Sequence, residues 1–318
     1  MRAVIARKDE FLMIDIGISL PQIGANASPA ALVRVAQEAE RLDYASVWVL
    51  ERLLRPTCAI SQMPGMPASQ LPEYYATVYD PIETLTYVAA HTQRVKLGTS
   101  VINALFHVPV VLARRFATLD QFSNGRVIAG LGQGWMEEEF ETANIPLKRR
   151  GSGMEEFVMA MRAVWGPDPV RYDGRFYHIS ESDIGPKPVQ AGGPPVLIGA
   201  FSPTSLERAG RFVDGFNPGA WSWDILEQSI QSFRQAVQAA GRNPDGMPIV
   251  VRANAQLSTQ PLPDPRPMFS GTVEQIREDI ARMEQMGANH VFFDLNMSNT
   301  SIDDQLRLLE RLRATADI

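Results

Sequence analysis

Thiol and imidazole groups are scarce in this sequence. Its 318 residues contain one cysteine, Cys58, so no intramolecular disulfide framework exists and a reducing, cytoplasmic setting is expected. The four histidines, His91, His107, His178 and His290, are scattered without the i, i+4 pairing of a metal-binding helix. With a single thiol they offer no zinc-type ligand set, and no metal is expected. Excess positive charge is also lacking. The net charge of −6 gives no electrostatic reason for a nucleic-acid partner or an anionic membrane surface. No apolar run approaches the length of a membrane span. The opening stretch MRAVIARKDEFLMIDIGISL is interrupted by charge before a signal-peptide core could form. Neither a G-x-S-x-G nucleophile elbow nor a G-x-x-x-x-G-K-[ST] phosphate loop occurs, which removes serine hydrolysis and P-loop chemistry.

What is present is an alternation of short apolar strands with amphipathic helices. IDIGISL (14–20) reads as a buried strand. After it comes SPAALVRVAQEAERL, with Ser28 as N-cap, Pro29 at the first helical position, and an apolar stripe of Leu32, Val35, Ala36, Ala39 and Leu42. SVWVL (46–50) is apolar on both faces, as strands of helix-covered parallel sheets are. The same pattern recurs near the C-terminus. A Thr272/Gln275 capping box opens a helix with Val273, Ile276, Ile280 and Met283 on one face; Gly287 closes it, and His290 to Leu295 forms a strand. Strands are predicted at 14–20, 45–50, 95–101, 126–132, 195–200, 213–217, 248–257 and 290–295, with a final helix over 302–315. Eight strands interleaved with helices predict a (β/α)8 TIM barrel, a single α/β domain over 1–318. Insertions fall at about 55–80 and 165–194, the second with hairpin signals around Asp173-Gly174.

The fourth strand ends in GRVIAGLGQGW (125–135). The glycine spacing is G-x-G-x-G in the fourth unit, with Trp135 following, so the dinucleotide fingerprint G-x-G-x-x-G of a first βαβ unit fails on spacing and on place. Alternation along a strand puts Gly130, Gly132 and Gly134 on one face. Their missing side chains would leave room for a flat ligand at the barrel's C-terminal mouth, or merely suit a tapering interior. Farther on, GAFSPTSLERA joins a strand to a helix whose cap region holds Ser202, Pro203 and Thr204; such an end is either an ordinary cap or an anion site.

The stretch RVKLGTSVINALFHVPVVLARRFATLDQFSNGRVIAGLGQGWMEEEF (94–140) resembles the luciferase-like superfamily of flavin- and deazaflavin-dependent oxidoreductases, and is most similar to its deazaflavin branch. VWVLERLLRP (47–56), VYDPIETLTYVAAHT (78–92), PPVLIGAFSPTSLERAGRFVDGF (194–216) and the last helix–strand unit extend the resemblance. It implies a cofactor, coenzyme F420 or alternatively FMN, lying across the ends of strands three and four. Gly132, Gln133, Gly134 and Trp135 would line the ring, with Thr99, Ser100 and Val101 beneath and a non-prolyl cis peptide at Ser100–Val101. It further implies a phosphate site at Gly199, Ala200, Phe201, Ser202 and Thr204, a homodimer, and a small-molecule substrate.

The pattern departs from the family after strand two. Many relatives carry Asp-His there; this chain has Glu51-Arg52, and Gln133 stands where sugar-phosphate dehydrogenases place an acid. Neither an amide nor a permanently cationic guanidinium transfers protons usefully, which argues against alcohol oxidation. Glu51 and Arg52 are candidate catalytic residues or else a plain ion pair. The reading is hydride transfer to or from a small organic substrate. Its alternatives are an FMN-dependent monooxygenase fed by a partner flavin reductase, or a non-catalytic flavin-binding relative. Lys148-Arg149-Arg150 is either a solvated face or a site for the anionic cofactor tail. The aromatic residues of 72–79, Trp221 and Trp223 would wall a substrate pocket or pack on helices.

Overall fold

A computed structural model describes residues 14–61, 67–297 and 300–313. The charged stretch before residue 14 and the end of the last predicted helix lie outside them. Among the described residues eight parallel strands follow one another round a barrel: β1 Asp15–Ser19, β2 Ser46–Val49, β3 Lys96–Thr99, β4 Val127–Gly132, β5 Val196–Gly199, β6 Gly215–Phe216, β7 Val250–Asn254 and β8 His290–Asp294. Each is followed by a helix, α1 Pro29–Arg41, α2 Pro81–Ala89, α3 Pro109–Ser123, α4 Met154–Trp165, α5 Pro203–Ala209, α6 Trp223–Ala239, α7 Val273–Gln285 and α8 Ile302–Arg313. Neighbouring strands pair in chain order from β1 to β6, and β8 joins β1 to β7. Between β6 and β7 the wall is completed by single parallel bridges, Phe216 to Ile249 and Gly219 to Arg252. This is the (β/α)8 barrel that the alternation predicts.

The local signals act as expected. Ser28 accepts the Ala31 N–H at 3.2 Å and Pro29 opens α1. Thr272 and Gln275 close a reciprocal capping box on α7. All of β2 and β8 is buried because helices cover one face while the barrel interior fills the other. That interior is a small cluster, Trp48, Leu197, Val250 and Phe292, with Trp48 stacked on Phe292 at 4.7 Å. The larger apolar layer lies between sheet and helices.

Both insertions are shaped by the barrel. Val170–Asp173 and His178–Ser182 form the antiparallel hairpin expected around Asp173-Gly174. Glu156 on α4 accepts the N–H groups of Phe176 and Tyr177 at 2.6 and 2.9 Å. Asp120, fully buried on α3, accepts those of Val189 and Gln190 and so ties down the approach to β5. In the first insertion, Ile60 and Leu71 pack with Met136, against Tyr75 and Trp135, so this loop leans on the end of β4. No helix among the described residues is long and apolar enough to cross a membrane.

Candidate functional site

The C-terminal ends of β3 and β4 interlock. The Ser100–Val101 peptide is cis, as the resemblance implies. A short strand, Ile102–Asn103, then pairs with Leu131 and Gly132. A Cβ at Gly130 would overlap the Thr99 carbonyl oxygen, and one at Gly132 would overlap the Val101 side chain. Val101 also faces Gly199, the parallel partner of Gly132, where a Cβ would come within 3.0 Å of it. The space that the glycines leave is therefore taken by the 99–101 segment, so that segment forms the surface any ligand would meet. The expectation of three glycines on one strand face needs correcting. The strand ends at Gly132, and Gly134 has φ +73° and packs beside Phe106 and Phe140.

The hydroxyls beneath this shelf are braces. Thr99 Oγ1 donates to the Gly130 carbonyl at 2.7 Å, and Ser100 Oγ donates to Asn217 Oδ1 at 2.6 Å. Asn217 in turn donates to the Val250 carbonyl, so a chain of hydrogen bonds runs across the mouth. A narrow cavity there is lined by Ser19, Gln22, Ser100, Asn296 and the ion pair of Arg252 with Asp294.

Glu51 and Arg52 do not pair with each other. Glu51 accepts the Asn103 N–H through Oε2 at 2.7 Å and meets His107 Nε2 through Oε1 at 2.7 Å. Arg52 turns to Glu139, with 3.1 Å from Nη1 to Oε2, and its guanidinium carbon lies 5.2 Å from the ring centres of Tyr75 and Trp135. Neighbours in sequence thus serve separate partners. Glu139 is wholly buried. Burial raises its carboxyl above the ordinary range, while Arg52 and the Leu53 N–H act the other way. The Arg52 Nε is buried without a hydrogen-bond partner. Neither His107 nor Glu139 stood out in the sequence: His107 carries no local pairing signal, and Glu139 is one of three consecutive glutamates.

The second half of the site is an open cleft of about 400 Å³ lined by Gln133, Lys148, Arg150, Gly151, Ser202, Thr204, Ser205 and Arg208, with Leu147. No acidic side chain lines it. Ser202 caps α5, accepting the Ser205 N–H at 3.2 Å, and Ser205 Oγ donates to Gln133 Oε1 at 3.1 Å. That last bond joins the ring-side candidates to the phosphate candidates. The basic triplet splits. Lys148 and Arg150 face the cleft, whereas Arg149 stacks on Phe176 at 3.9 Å and belongs to the hairpin. Arg208, one helical turn beyond Thr204, enters the cleft and donates to the Gly151 carbonyl at 2.6 Å; the sequence reading missed it. Ala200 is buried, while Phe201 is exposed and meets Trp221 edge-on at 6.3 Å. Trp223 packs on Phe269, with the Arg282 guanidinium over its ring.

The family model of luciferase-like monooxygenases matches residues 11–261. An uncharacterised protein of Mycobacterium tuberculosis is 32% identical over 289 residues, covering 90% of this chain and 93% of that one. The F420-dependent glucose-6-phosphate dehydrogenase of Mycolicibacterium fortuitum is 34% identical over 184 residues, 56% of this chain and 54% of that enzyme. The crystal structure of monooxygenase RslO1 from Streptomyces bottropensis superposes with a TM-score of 0.78 at 21% identity, covering 95% of this chain and 98% of that one. The chain belongs to the luciferase-like monooxygenase family, and it is an oxidoreductase of that family.

Proposed function

We propose that this protein is a coenzyme F420-dependent oxidoreductase, acting through a single barrel domain on a small organic substrate. The carrying observation is the cleft that runs from Gln133 to α5, where Lys148, Arg150 and Arg208 stand among the hydroxyls of Ser202, Thr204 and Ser205 with no carboxylate among them. Three cations and three hydroxyls suit a phosphodiester followed by carboxylates, which is the chemistry of the deazaflavin's tail. FMN has a single phosphate and needs less of this charge.

In this reading Gly132, Gln133, Gly134 and Trp135, with the 99–101 segment beneath, hold the ring, and Gly199, Ala200, Phe201, Ser202 and Thr204 hold the phosphate region. When bound, a reduced deazaflavin supplies hydride. The chain's own work is to fix that group on a rigid shelf and to bring the substrate against it. The braces Thr99–Gly130 and Ser100–Asn217 make the shelf rigid. The Arg52–Glu139 pair, with Tyr75 and Trp135 over the guanidinium, fixes Trp135 at the end of β4.

Side-by-side fluorescence titration with F420 and with FMN, at low and high salt, tests the proposal. Tight, salt-sensitive binding of F420 alone is the expected result. Preference for FMN would favour the monooxygenase reading, which the family's name and the likeness to RslO1 support, and would require a partner flavin reductase. Stoichiometric binding without turnover across a substrate panel would instead make the chain a flavin-binding relative.

We also infer a homodimer. Val111 and Phe122 are exposed on α3, Val108 is exposed at its N-cap, and Tyr87 is exposed on the neighbouring α2. Large apolar side chains left exposed on two neighbouring helices are suited to burial against a second copy.

A further inference from the structure

The site contains an imidazole–carboxylate pair that the sequence did not announce. Both oxygens of Glu51 are committed, Oε2 to the Asn103 N–H and Oε1 to His107 Nε2, each at 2.7 Å. An ionised carboxylate only accepts, so Nε2 carries a proton and Nδ1 is the nitrogen left for other business. Among the described residues no hydrogen bond engages Nδ1. The pair is neither sealed nor loose, with side-chain exposures of 20% for His107 and 10% for Glu51.

Its position is set by the cofactor shelf. The Glu51 N–H donates to the Val101 carbonyl at 3.2 Å, and Asn103 is the strand partner of Gly132. Phe106, next to His107, has its ring edge 3.0 Å from where a Cβ on Gly134 would lie. Bracing the loop would need only the bond from Glu51 to the Asn103 N–H. The second oxygen instead orients the imidazole of His107, next in the chain to Phe106 at Gly134, and leaves its Nδ1 free.

We propose that His107 is the proton-transfer residue of this oxidoreductase and that Glu51 is its positioning residue; the proposal rests on the F420 reading above. In the reducing direction a bound, reduced cofactor would supply a hydride to the substrate's electrophilic carbon, and the electron pair of its double bond would move to the far atom. That atom takes the proton as the Nδ1–H bond of the His107 imidazolium breaks. Nε2–H stays on Glu51, and the neutral ring regains its proton from solvent. One hydride and one proton are added across the bond, so the substrate class is a carbonyl, an imine or an activated alkene. Oxidation runs the same steps backwards, with Nδ1 accepting.

The test is nitrogen-15 NMR of histidine-labelled protein, with His107→Asn assigning the resonance and coenzyme F420 as the probe. In the wild type the neutral His107 ring is expected as the Nε2–H tautomer, and Glu51→Ala is expected to mix the tautomers. Adding F420 is expected to shift the His107 Nδ1 signal while the exposed His91 and His178 stay fixed. In turnover, His107→Asn and His107→Gln are expected to lower kcat by about 10²- to 10⁴-fold, the usual worth of a positioned acid–base group, with F420 affinity within about twofold. Quenching of F420 fluorescence with an unmoved His107 signal would overturn this proposal alone. No quenching at all would overturn the F420 reading and this proposal with it.

Discussion

Arg52 and Glu139 form a nearly buried ion pair, 3.1 Å from Nη1 to Oε2, between the segment after β2 and the short helix Glu137–Thr142 that follows β4. The carboxylate has no exposed side-chain surface and the guanidinium only 10%. Removing the cation leaves the buried carboxylate with backbone N–H donors alone. Arg52→Met is therefore expected to cost about 3–5 kcal/mol, the range for breaking a buried pair. The double variant Arg52→Met/Glu139→Gln should recover part of that loss. Urea unfolding of the three proteins measures both; a single-variant loss below about 0.5 kcal/mol would refute the argument.

Gly130 is where β4 presses on the end of β3. A methyl group there would overlap the Thr99 carbonyl oxygen, and backbone cannot swing aside as a flexible side chain can. Gly130→Ala is expected to destabilise by about 1–3 kcal/mol and to move the 99–101 segment. Thermal unfolding reads the first effect. Loss of cofactor quenching at temperatures where the variant remains folded reads the second. A fully stable, fully binding Gly130→Ala would show that the interlock does not matter.

His290 sets a stability term that depends on pH. It is buried at the start of β8, with Nε2 2.7 Å from Ser46 Oγ, and burial depresses its pKa from 6.5 to about 4. The unfolded chain thus binds a proton that the folded one refuses between those values. The contribution is complete above about pH 6.5 and is lost as pH falls toward 4; a displacement of that size is worth roughly 3 kcal/mol. Unfolding free energies measured from pH 7 to 4 should fall less steeply in His290→Gln than in the wild type. Parallel slopes would place the acid lability elsewhere.

The basic cleft predicts a salt signature. Lys148→Ala, Arg150→Ala and Arg208→Ala should each weaken F420 binding by about tenfold, as expected for a charge-assisted contact of roughly 1.5 kcal/mol. Arg149→Ala should have little effect on binding, because Arg149 lies on the hairpin rings. Affinities for all four that are alike and insensitive to salt would remove the tail assignment.

The outer face of α3 predicts an assembly. Phe122→Asp places a charge on the most exposed of its apolar side chains, at 68%. Sedimentation equilibrium should find a wild-type dimer and a variant shifted toward monomer with unchanged unfolding temperature. A wild type that is monomeric at tens of micromolar would end the proposal.

Much of the barrel was legible in the residues because its signals are local. Ser28-Pro29 and Thr272/Gln275 start helices through groups within four positions, and SVWV declares a doubly covered strand by composition alone. The hairpin around Asp173-Gly174 is local in the same way. The glycines of β4 announce missing side chains, but a sequence does not say what fills the room. Here Thr99 and Val101 fill it, arriving from another strand. The split of Lys148-Arg149-Arg150 was equally hidden, because helical geometry turns neighbouring side chains about 100° apart and only the surroundings decide which face is the cleft.

The order of strands and helices, the positions of their caps and the family likeness follow from the sequence alone, since each depends on periodicity or motif over a few tens of residues. Which groups meet at the mouth was decided only by tertiary structure. Glu51 finds His107 56 positions away, Arg52 finds Glu139 87 positions away, and Arg208 reaches Gly151 across 57. Barrel closure brings the ends of successive strands together whatever their spacing in the chain. A site built from those ends therefore leaves little mark on any single stretch of sequence.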